Sequence, residues 1–244
     1  MHHLGSTRTT ARPNYTLHTP DSFVRAPLPG MEKASAVVHA APALGARFTM
    51  YTAEFEAAGQ LGPTAMQRFV FVLEGELSLE AKGKTSRLAP NGFAYIPVGL
   101  DHRIYASAKA RAAVIEKPFV ALDGAKSPGL VTGREKSAAA QPLMGDPDVV
   151  VRTLVPNETA FDLAANTMTY APGATLPMVE SHVMEHGLLM LDGGGIYRLG
   201  DDWHPVAAGD FIWMGPYCPQ WFGALGKTPA RYLIYKDWNR HPQV

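Results

Sequence analysis

The sequence predicts an all-β protein built from two similar barrels in tandem. Three observations lead to this fold class. Short apolar runs alternate with turn residues, no long segment keeps the 3.6-residue apolar period of a helix, and the two halves of the chain match each other at a constant offset. The turn signals are 23 glycines and 20 prolines spread along 244 residues.

Six apolar runs have the length of a strand. In the first half they span residues 68–73, 92–96 and 113–115, and in the second half residues 187–191, 210–214 and 232–235. Many short strands between turn signals are typical of a β-sandwich or a barrel.

The repeat indicates a duplicated domain. Residues 72–75 (VLEG) match residues 190–193 (MLDG), 118 positions later, and residues 93–96 (FAYI) match residues 211–214 (FIWM) at the same offset. A period of this size favours two fused domains over a solenoid.

The composition around these matches predicts the domain bounds. A Gly-, Pro- and Ala-rich stretch lies between the halves and is typical of a linker. We therefore expect an N-terminal arm (1–18), which is mobile or an artificial extension, a first barrel (19–121), a linker (122–146) and a second barrel (147–244).

Charge and cysteine content exclude several classes of function. Lys plus Arg and Asp plus Glu both number 22, so no basic excess favours binding to nucleic acid or to an anionic membrane. Cys218 is the only cysteine, which excludes internal disulfides and favours a reducing cytoplasm. No apolar run is long enough to span a membrane.

The second half carries a candidate metal site. On an extended strand, Glu180, His182 and His186 project to the same face. Gln220, after the predicted strand at 210–214, is the candidate fourth ligand. This sulfur-free set suits Mn²⁺ or Fe²⁺ better than structural zinc. Glu185 has the opposite parity, so we expect it to be exposed or at the barrel rim.

The first half lacks these residues. At the offset of 118, the three face positions are Gly62, Thr64 and Arg68, and His102 takes the fourth position. One imidazole cannot hold a divalent ion, so we expect the first barrel to be metal-free and structural. His102 is then either a relic or an ordinary buried histidine.

These residues resemble the two motifs of the cupin superfamily, whose members are double-stranded β-helix (jelly-roll) barrels. The first motif is represented by Gly173, His182, His186 and Gly193, and the second by Gly209, Pro216 and Gln220. The glutamate precedes the histidines here, and a glutamine stands where the second motif usually has histidine.

Both departures resemble one family, the (S)-ureidoglycine aminohydrolases, which are manganese-dependent bicupins of allantoin and purine breakdown. The similarity lies in residues 180–187 (ESHVMEHG), the Pro219-Gln220 pair, the ending 232–240 (YLIYKDWNR) and the opening Thr-Pro-Asp at 19–21.

The resemblance implies hydrolysis of (S)-ureidoglycine to (S)-ureidoglycolate and ammonia by a homo-oligomeric, metal-dependent C–N hydrolase. It implies Mn²⁺ bound by Glu180, His182, His186 and Gln220, with Glu180 also in the catalytic set and Gln220 also near the substrate.

It further implies that Tyr197, Tyr232 and Lys236 contact substrate, the last two also in catalysis. Lys236 would bind the carboxylate or protonate the departing ammonia, and the tyrosines would hydrogen-bond the ureido group. Without the resemblance, a tyrosine in a barrel strand is more often packing and a lone lysine more often a surface charge.

Cupin barrels host many functions. The alternatives are another cupin metalloenzyme, either an iron-dependent dioxygenase or a sugar isomerase, and a non-catalytic bicupin that binds a small ligand.

Overall fold

The computed structural model describes residues 5–242 and confirms the all-β class. In this range no α-helix is present, and three 3-10 helices span Pro20–Ser22, Pro42–Leu44 and Glu135–Ser137. Accordingly, no helix of residues 5–242 is long and apolar enough to cross a membrane. The strands are β1 (Thr10–Arg12), β2 (Tyr15–His18), β3 (Met31–Ala40), β4 (Thr49–Leu61), β5 (Gln67–Glu74), β6 (Leu77–Ala81), β7 (Lys84–Leu88), β8 (Gly92–Ile96), β9 (His102–Tyr105), β10 (Ala110–Lys117), β11 (Val131–Arg134), β12 (Ala140–Leu143), β13 (Asp146–Thr153), β14 (Leu163–Tyr170), β15 (His186–Asp192), β16 (Gly194–Leu199), β17 (Asp202–Ala207), β18 (Phe211–Met214), β19 (Gln220–Ala224) and β20 (Ala230–Asp237).

All six apolar runs predicted from the sequence lie within strands, namely β5, β8, β10, β15, β18 and β20, apart from one residue, Asp210, before β18. The strands fold into two compact units. The N-terminal unit comprises Val24–Ala139 and Leu154–Ala164, and the C-terminal unit comprises the described residues up to Phe23, Ala140–Thr153 and the residues from Ala165 onward.

The N-terminal unit is one curved antiparallel sheet in the order β11-β8-β5-β10-β4-β9-β6-β7, with β3 paired to β4. Val70 and Val72 of β5 point into its core together with Ile96 and Val114. On the other face of β5 and β8, Phe69 is buried and stacks on Phe93. Burial on both faces explains why this run is continuously apolar instead of alternating.

The C-terminal unit contains an eight-stranded sheet, in the order β1-β2-β18-β15-β20-β14-β13-β12, and a three-stranded sheet, β17-β16-β19. Leu188, Met190 and Ile212 belong to its core. Tyr170 of β14 and Tyr232 of β20 belong to the same core and line the barrel interior close to the candidate metal ligands.

The predicted N-terminal arm differs from the structure. Residues 1–4 lie outside the described residues, but β1 and β2 form a hairpin whose second strand pairs with β18. Leu17 is buried, and Arg8 donates hydrogen bonds of 2.7 and 2.8 Å to the buried carboxylate of Asp210. This segment is therefore part of the C-terminal sheet.

The predicted linker also contains ordered strands. β11 pairs with β8 in the N-terminal unit, and β12 pairs with β13 in the C-terminal unit. Both are short, largely exposed edge strands, so they lack the apolar run that identifies a strand in sequence.

A short part of the predicted second barrel, Leu154–Ala164, belongs to the N-terminal unit. Asp162 is fully buried there and accepts hydrogen bonds from Lys117 at 2.6 Å and Gln67 at 2.7 Å. Each unit is therefore built from separate stretches of the chain, whereas two tandem domains would each be one continuous stretch.

Candidate active site

The segment that carries Glu180, His182 and His186 is not the continuous strand that the sequence predicts. Glu180 forms an isolated antiparallel bridge with Gln220, and β15 begins only at His186. The bridge consists of two backbone hydrogen bonds, Glu180 N to Gln220 O at 2.8 Å and Gln220 N to Glu180 O at 2.9 Å. It brings the predicted fourth ligand next to the first.

The four candidate ligands nevertheless converge inside the C-terminal barrel. The Nε2 atoms of His182 and His186 lie 3.2 Å apart. The Gln220 amide nitrogen lies 3.1 Å from His182 Nε2, and the nearer Glu180 carboxylate oxygen lies 3.9 Å from the same atom. The structure therefore brings together the residues selected from the sequence.

These distances can be compared with those of a metal centre. Bonds of about 2.0–2.2 Å place neighbouring ligand atoms about 3 Å apart, which matches the His182–His186 and His182–Gln220 separations. Among residues 5–242, no group of three or more His, Cys, Asp or Glu side chains lies close enough together to hold a metal ion. The third group near the two imidazoles is the Gln220 amide, and the Glu180 carboxylate lies farther out.

The orientation of the Gln220 amide bears on this fit. Its Oε1 accepts a hydrogen bond of 3.2 Å from the Tyr197 hydroxyl, and its Nε2 faces His182. A metal ligand must use Oε1, so binding requires a half-turn of the amide. After that turn Nε2 can donate to the Tyr197 oxygen, so Tyr197 holds the amide in either orientation.

Burial keeps the His186 imidazole in the form that binds a metal. It lowers the pKa of His186 well below the usual value, assisted by the positive charge of Lys236 and by His182. The Nδ1 atom of His182 is buried without a hydrogen-bond partner among the described residues. Two imidazoles whose Nε2 atoms face each other fit a divalent cation.

Lys236 lies beside this cluster, as the resemblance implies. It is the cross-strand partner of His186 in the pairing of β15 with β20. Burial lowers the pKa of Lys236, and the Glu180 carboxylate partly opposes this shift. A partly desolvated ammonium group next to two imidazoles can bind an anion or release a proton more readily than a surface lysine.

Tyr232 lies deeper in the barrel, where its hydroxyl is 2.8 Å from that of Tyr170. The pKa values of Tyr232 and Tyr197 are both raised well above the usual range, mainly by burial, so both act as neutral hydroxyl groups. Sequence reasoning missed Tyr170, since nothing in the strand 163–170 distinguishes it from a packing residue.

The prediction for Glu185 was wrong. It is buried, not exposed, and its carboxylate accepts a hydrogen bond of 3.2 Å from the indole of Trp213. Its backbone N–H donates to the Asp237 carboxylate at 2.7 Å. Counting parity from Glu180 assigns the correct face, because Glu185 contacts Trp213, which lies on the face of β18 opposite the core residues Ile212 and Met214. The error concerns exposure, since that face is buried as well.

The N-terminal barrel holds a guanidinium at the matching place. Arg68 donates to Gly62 O at 2.7 Å and to the Glu116 carboxylate at 2.7 Å, and lies 2.8 Å from His102 Nε2. His102 Nδ1 lies 2.7 Å from Leu100 O, so it carries the proton and Nε2 accepts from Arg68. His102 is thus a hydrogen-bonded buried residue, and the guanidinium charge disfavours a metal cation.

Comparisons with known proteins agree with this architecture. The family described as "Cupin domain" matches residues 166–235. The crystal structure of the Escherichia coli protein Ylba superposes with a TM-score of 0.86 at 29% identity, over 99% of this chain and 98% of that one. The bicupin fold is therefore confirmed.

Two curated relatives match nearly the whole chain. The (S)-ureidoglycine aminohydrolase of Arabidopsis thaliana is 40% identical over 243 residues, which cover 98% of this chain and 80% of the relative. That of Escherichia coli K12 is 33% identical over 239 residues, which cover 95% of this chain and 91% of the relative. The chain belongs to the (S)-ureidoglycine aminohydrolase family.

Proposed function

We propose that the protein hydrolyses (S)-ureidoglycine to (S)-ureidoglycolate and ammonia. The observation that carries this proposal is the similarity over nearly the full length to relatives named for that reaction. The convergence of Glu180, His182, His186 and Gln220 in one barrel supports it, because cupin membership indicates a metal-binding enzyme.

The cation we propose is Mn²⁺, held by these four side chains. Two neutral imidazoles, one carboxylate and one amide oxygen form a nitrogen- and oxygen-donor set without thiolate, which suits Mn²⁺. When bound, such an ion supplies positive charge that orients substrate anions and lowers the pKa of a coordinated water.

The reaction exchanges an amine for a hydroxyl at one carbon, which also carries a carboxylate and a ureido group. Water delivers the hydroxyl, and the leaving amine needs a proton to depart as ammonia. Lys236 is the residue we propose for that proton or for pairing with the carboxylate, since burial lowers its pKa toward the range useful for proton transfer.

Tyr197 and Tyr232 are proposed to bind the ureido group. Both hydroxyls stay neutral because burial raises their pKa, and each can donate to a urea oxygen or accept from a urea nitrogen. Hydrogen bonds from two different strands, β16 and β20, fix the group at two points and so distinguish one stereoisomer.

The remaining features of the proposal follow from the family. We propose a homo-oligomer in the cytoplasm that acts in allantoin breakdown. Neither nucleic acid nor membrane is expected as a partner, because the formal net charge is zero.

The test is ammonia release from freshly generated ureidoglycine in air-free manganese buffer. The expected result is a rate above spontaneous hydrolysis and a product enriched in (S)-ureidoglycolate, measured by chiral separation. Ammonia release no faster than in the protein-free sample would refute the proposal. Oxygen consumption with iron would instead indicate a cupin dioxygenase.

A further inference from the structure

Tyr217 has a backbone conformation that is unfavourable for its side chain. Its φ angle is +60°, in the left-handed region that glycine adopts at little cost. It lies three residues before Gln220, in the turn between β18 and β19. A bulky residue in this region is retained only when something else compensates, and such residues concentrate at functional sites.

The N-terminal barrel contains a matched comparison. At the offset of 118, Tyr217 corresponds to Gly99, whose φ is +78°. A side chain at Gly99 would meet open space, since no atom lies within 4 Å of its ideal Cβ position. The same turn is therefore built with glycine in the barrel without the ligand set and with tyrosine in the barrel that has it.

The other non-glycine residues with positive φ have local explanations in most cases. Lys82 and Met144 each precede a glycine in a two-residue hairpin, where both residues require positive φ. Asn91 and Asn239 tolerate this region. Lys33 lies at a break in the register of β3. Tyr217 is the third residue of the β-turn Gly215–Cys218, which is closed by a hydrogen bond of 3.2 Å from Cys218 N to Gly215 O and has Pro216 second. A turn with this sequence requires positive φ at its third position and favours glycine there, so the turn explains the angle but not the choice of tyrosine.

Core packing does not explain Tyr217, because the residue is 64% exposed. Its backbone, however, is held against the segment of the candidate ligands. Its N–H donates to His182 O at 2.7 Å, and its carbonyl accepts from Ser181 Oγ at 3.1 Å. The residue therefore lies at the rim of the site, next to His182 and close in sequence to Gln220.

We propose that Tyr217 is a substrate-contact residue that determines specificity at this rim. This inference rests on the proposed function. The hydroxyls of Tyr197 and Tyr232 are proposed to bind the edge of the planar ureido group, which leaves its face available, and a planar amide packs its face well on an aromatic ring. The phenol hydroxyl can additionally accept from a urea N–H.

The test is a pair of reciprocal substitutions, Tyr217→Gly and Gly99→Tyr. Tyr217→Gly should keep its metal content and oligomeric mass and melt at the same or a higher temperature, because glycine suits the backbone. Its KM should rise by about 2- to 12-fold, the range for loss of one aromatic contact, with kcat changed less. Gly99→Tyr should melt at a lower temperature with unchanged kinetics.

A second readout avoids turnover. Calorimetric titration with (S)-ureidoglycolate, which keeps the ureido group and lacks the labile amine, should show weaker binding to Tyr217→Gly than to the unmodified protein. Tyr217→Phe should lie between them, since it keeps the ring and loses the hydroxyl.

Several outcomes would overturn the inference. A lower melting temperature with normal KM in Tyr217→Gly would make Tyr217 a structural residue, and an altered oligomeric mass would make it a subunit-contact residue. If the unmodified protein releases no ammonia from ureidoglycine, the proposed function fails first. If the unmodified protein is active and the Tyr217→Gly variant is equally active, this inference is refuted and the proposed function is not.

Discussion

Two lysines, one in each barrel, allow binding to be separated from stability. Lys117 in β10 lies 2.6 Å from the fully buried carboxylate of Asp162. Lys236 in β20 instead faces the candidate ligands, and its pKa is lowered by burial. The replacement of each lysine by methionine removes the charge and keeps most of the volume.

The two substitutions should have opposite effects. In Lys236→Met, loss of a charge-assisted hydrogen bond to substrate costs about 1.5–3 kcal/mol, which lowers kcat/KM by about 10- to 150-fold. Its free energy of unfolding should stay the same or rise, because a desolvated charge is removed. In Lys117→Met, the unpaired Asp162 costs about 3–5 kcal/mol of stability, or at least about 6 °C in Tm.

The assays are steady-state ammonia release, elemental analysis and scanning calorimetry on both variants. A fall in kcat for Lys236→Met would assign proton donation to the leaving amine, whereas a rise in KM alone would assign carboxylate binding. The reasoning is refuted if Lys236→Met loses metal or melts early, as Lys117→Met should, or if its kinetics equal those of the unmodified protein.

Further predictions concern the ligands and the substrate. His182→Ala should lose the one divalent ion bound per chain while His102→Ala keeps it, and two ions per chain by elemental analysis would contradict this. The double variant His186→Arg/Lys236→Glu copies Arg68 and Glu116, the cross-strand pair at the matching positions of the first barrel. Circular dichroism should show that this variant folds without a metal ion. Tyr232→Phe should keep manganese and lower kcat/KM by about 2- to 12-fold, as expected for loss of one hydrogen bond; an unchanged kcat/KM would make it a packing residue. The protein should release ammonia from (S)-ureidoglycine and leave allantoate intact; faster release from allantoate would place it at a different step.

The features that the sequence predicted well are those with a strong local signal. Each of the six apolar runs became a strand, and the ligand types selected by chemistry meet in space even though they come from separate segments. Matching the repeat at an offset of 118 also worked for β5 and β8, because Arg68 pairs with Ile96 as His186 pairs with Met214. The offset changes to 120 in β10 and β20, where Glu116 pairs with Arg68 and Lys236 pairs with His186.

The features that it missed depend on local irregularity or on distant contacts. Parity counting predicted the face of Glu185 but not its burial, because exposure depends on what packs against that face, here Trp213. β1, β11 and β12 are edge strands with few apolar residues, and β2, which lies between β1 and β18, is only four residues long. The pairing partners of these strands supply the signal that their own sequences lack.

The two barrels have different residues at the same pair of cross-strand positions. In the first, Arg68 opposite Glu116 forms a self-sufficient ion pair that also uses Gly62 O and His102, so nothing from outside is needed. In the second, His186 opposite Lys236 places a neutral imidazole beside a cation, and burial penalises that arrangement. Burying such groups is costly unless a partner is supplied. Under the proposed function, a metal ion and an anionic substrate are the partners that the second barrel lacks and that the first barrel does not need.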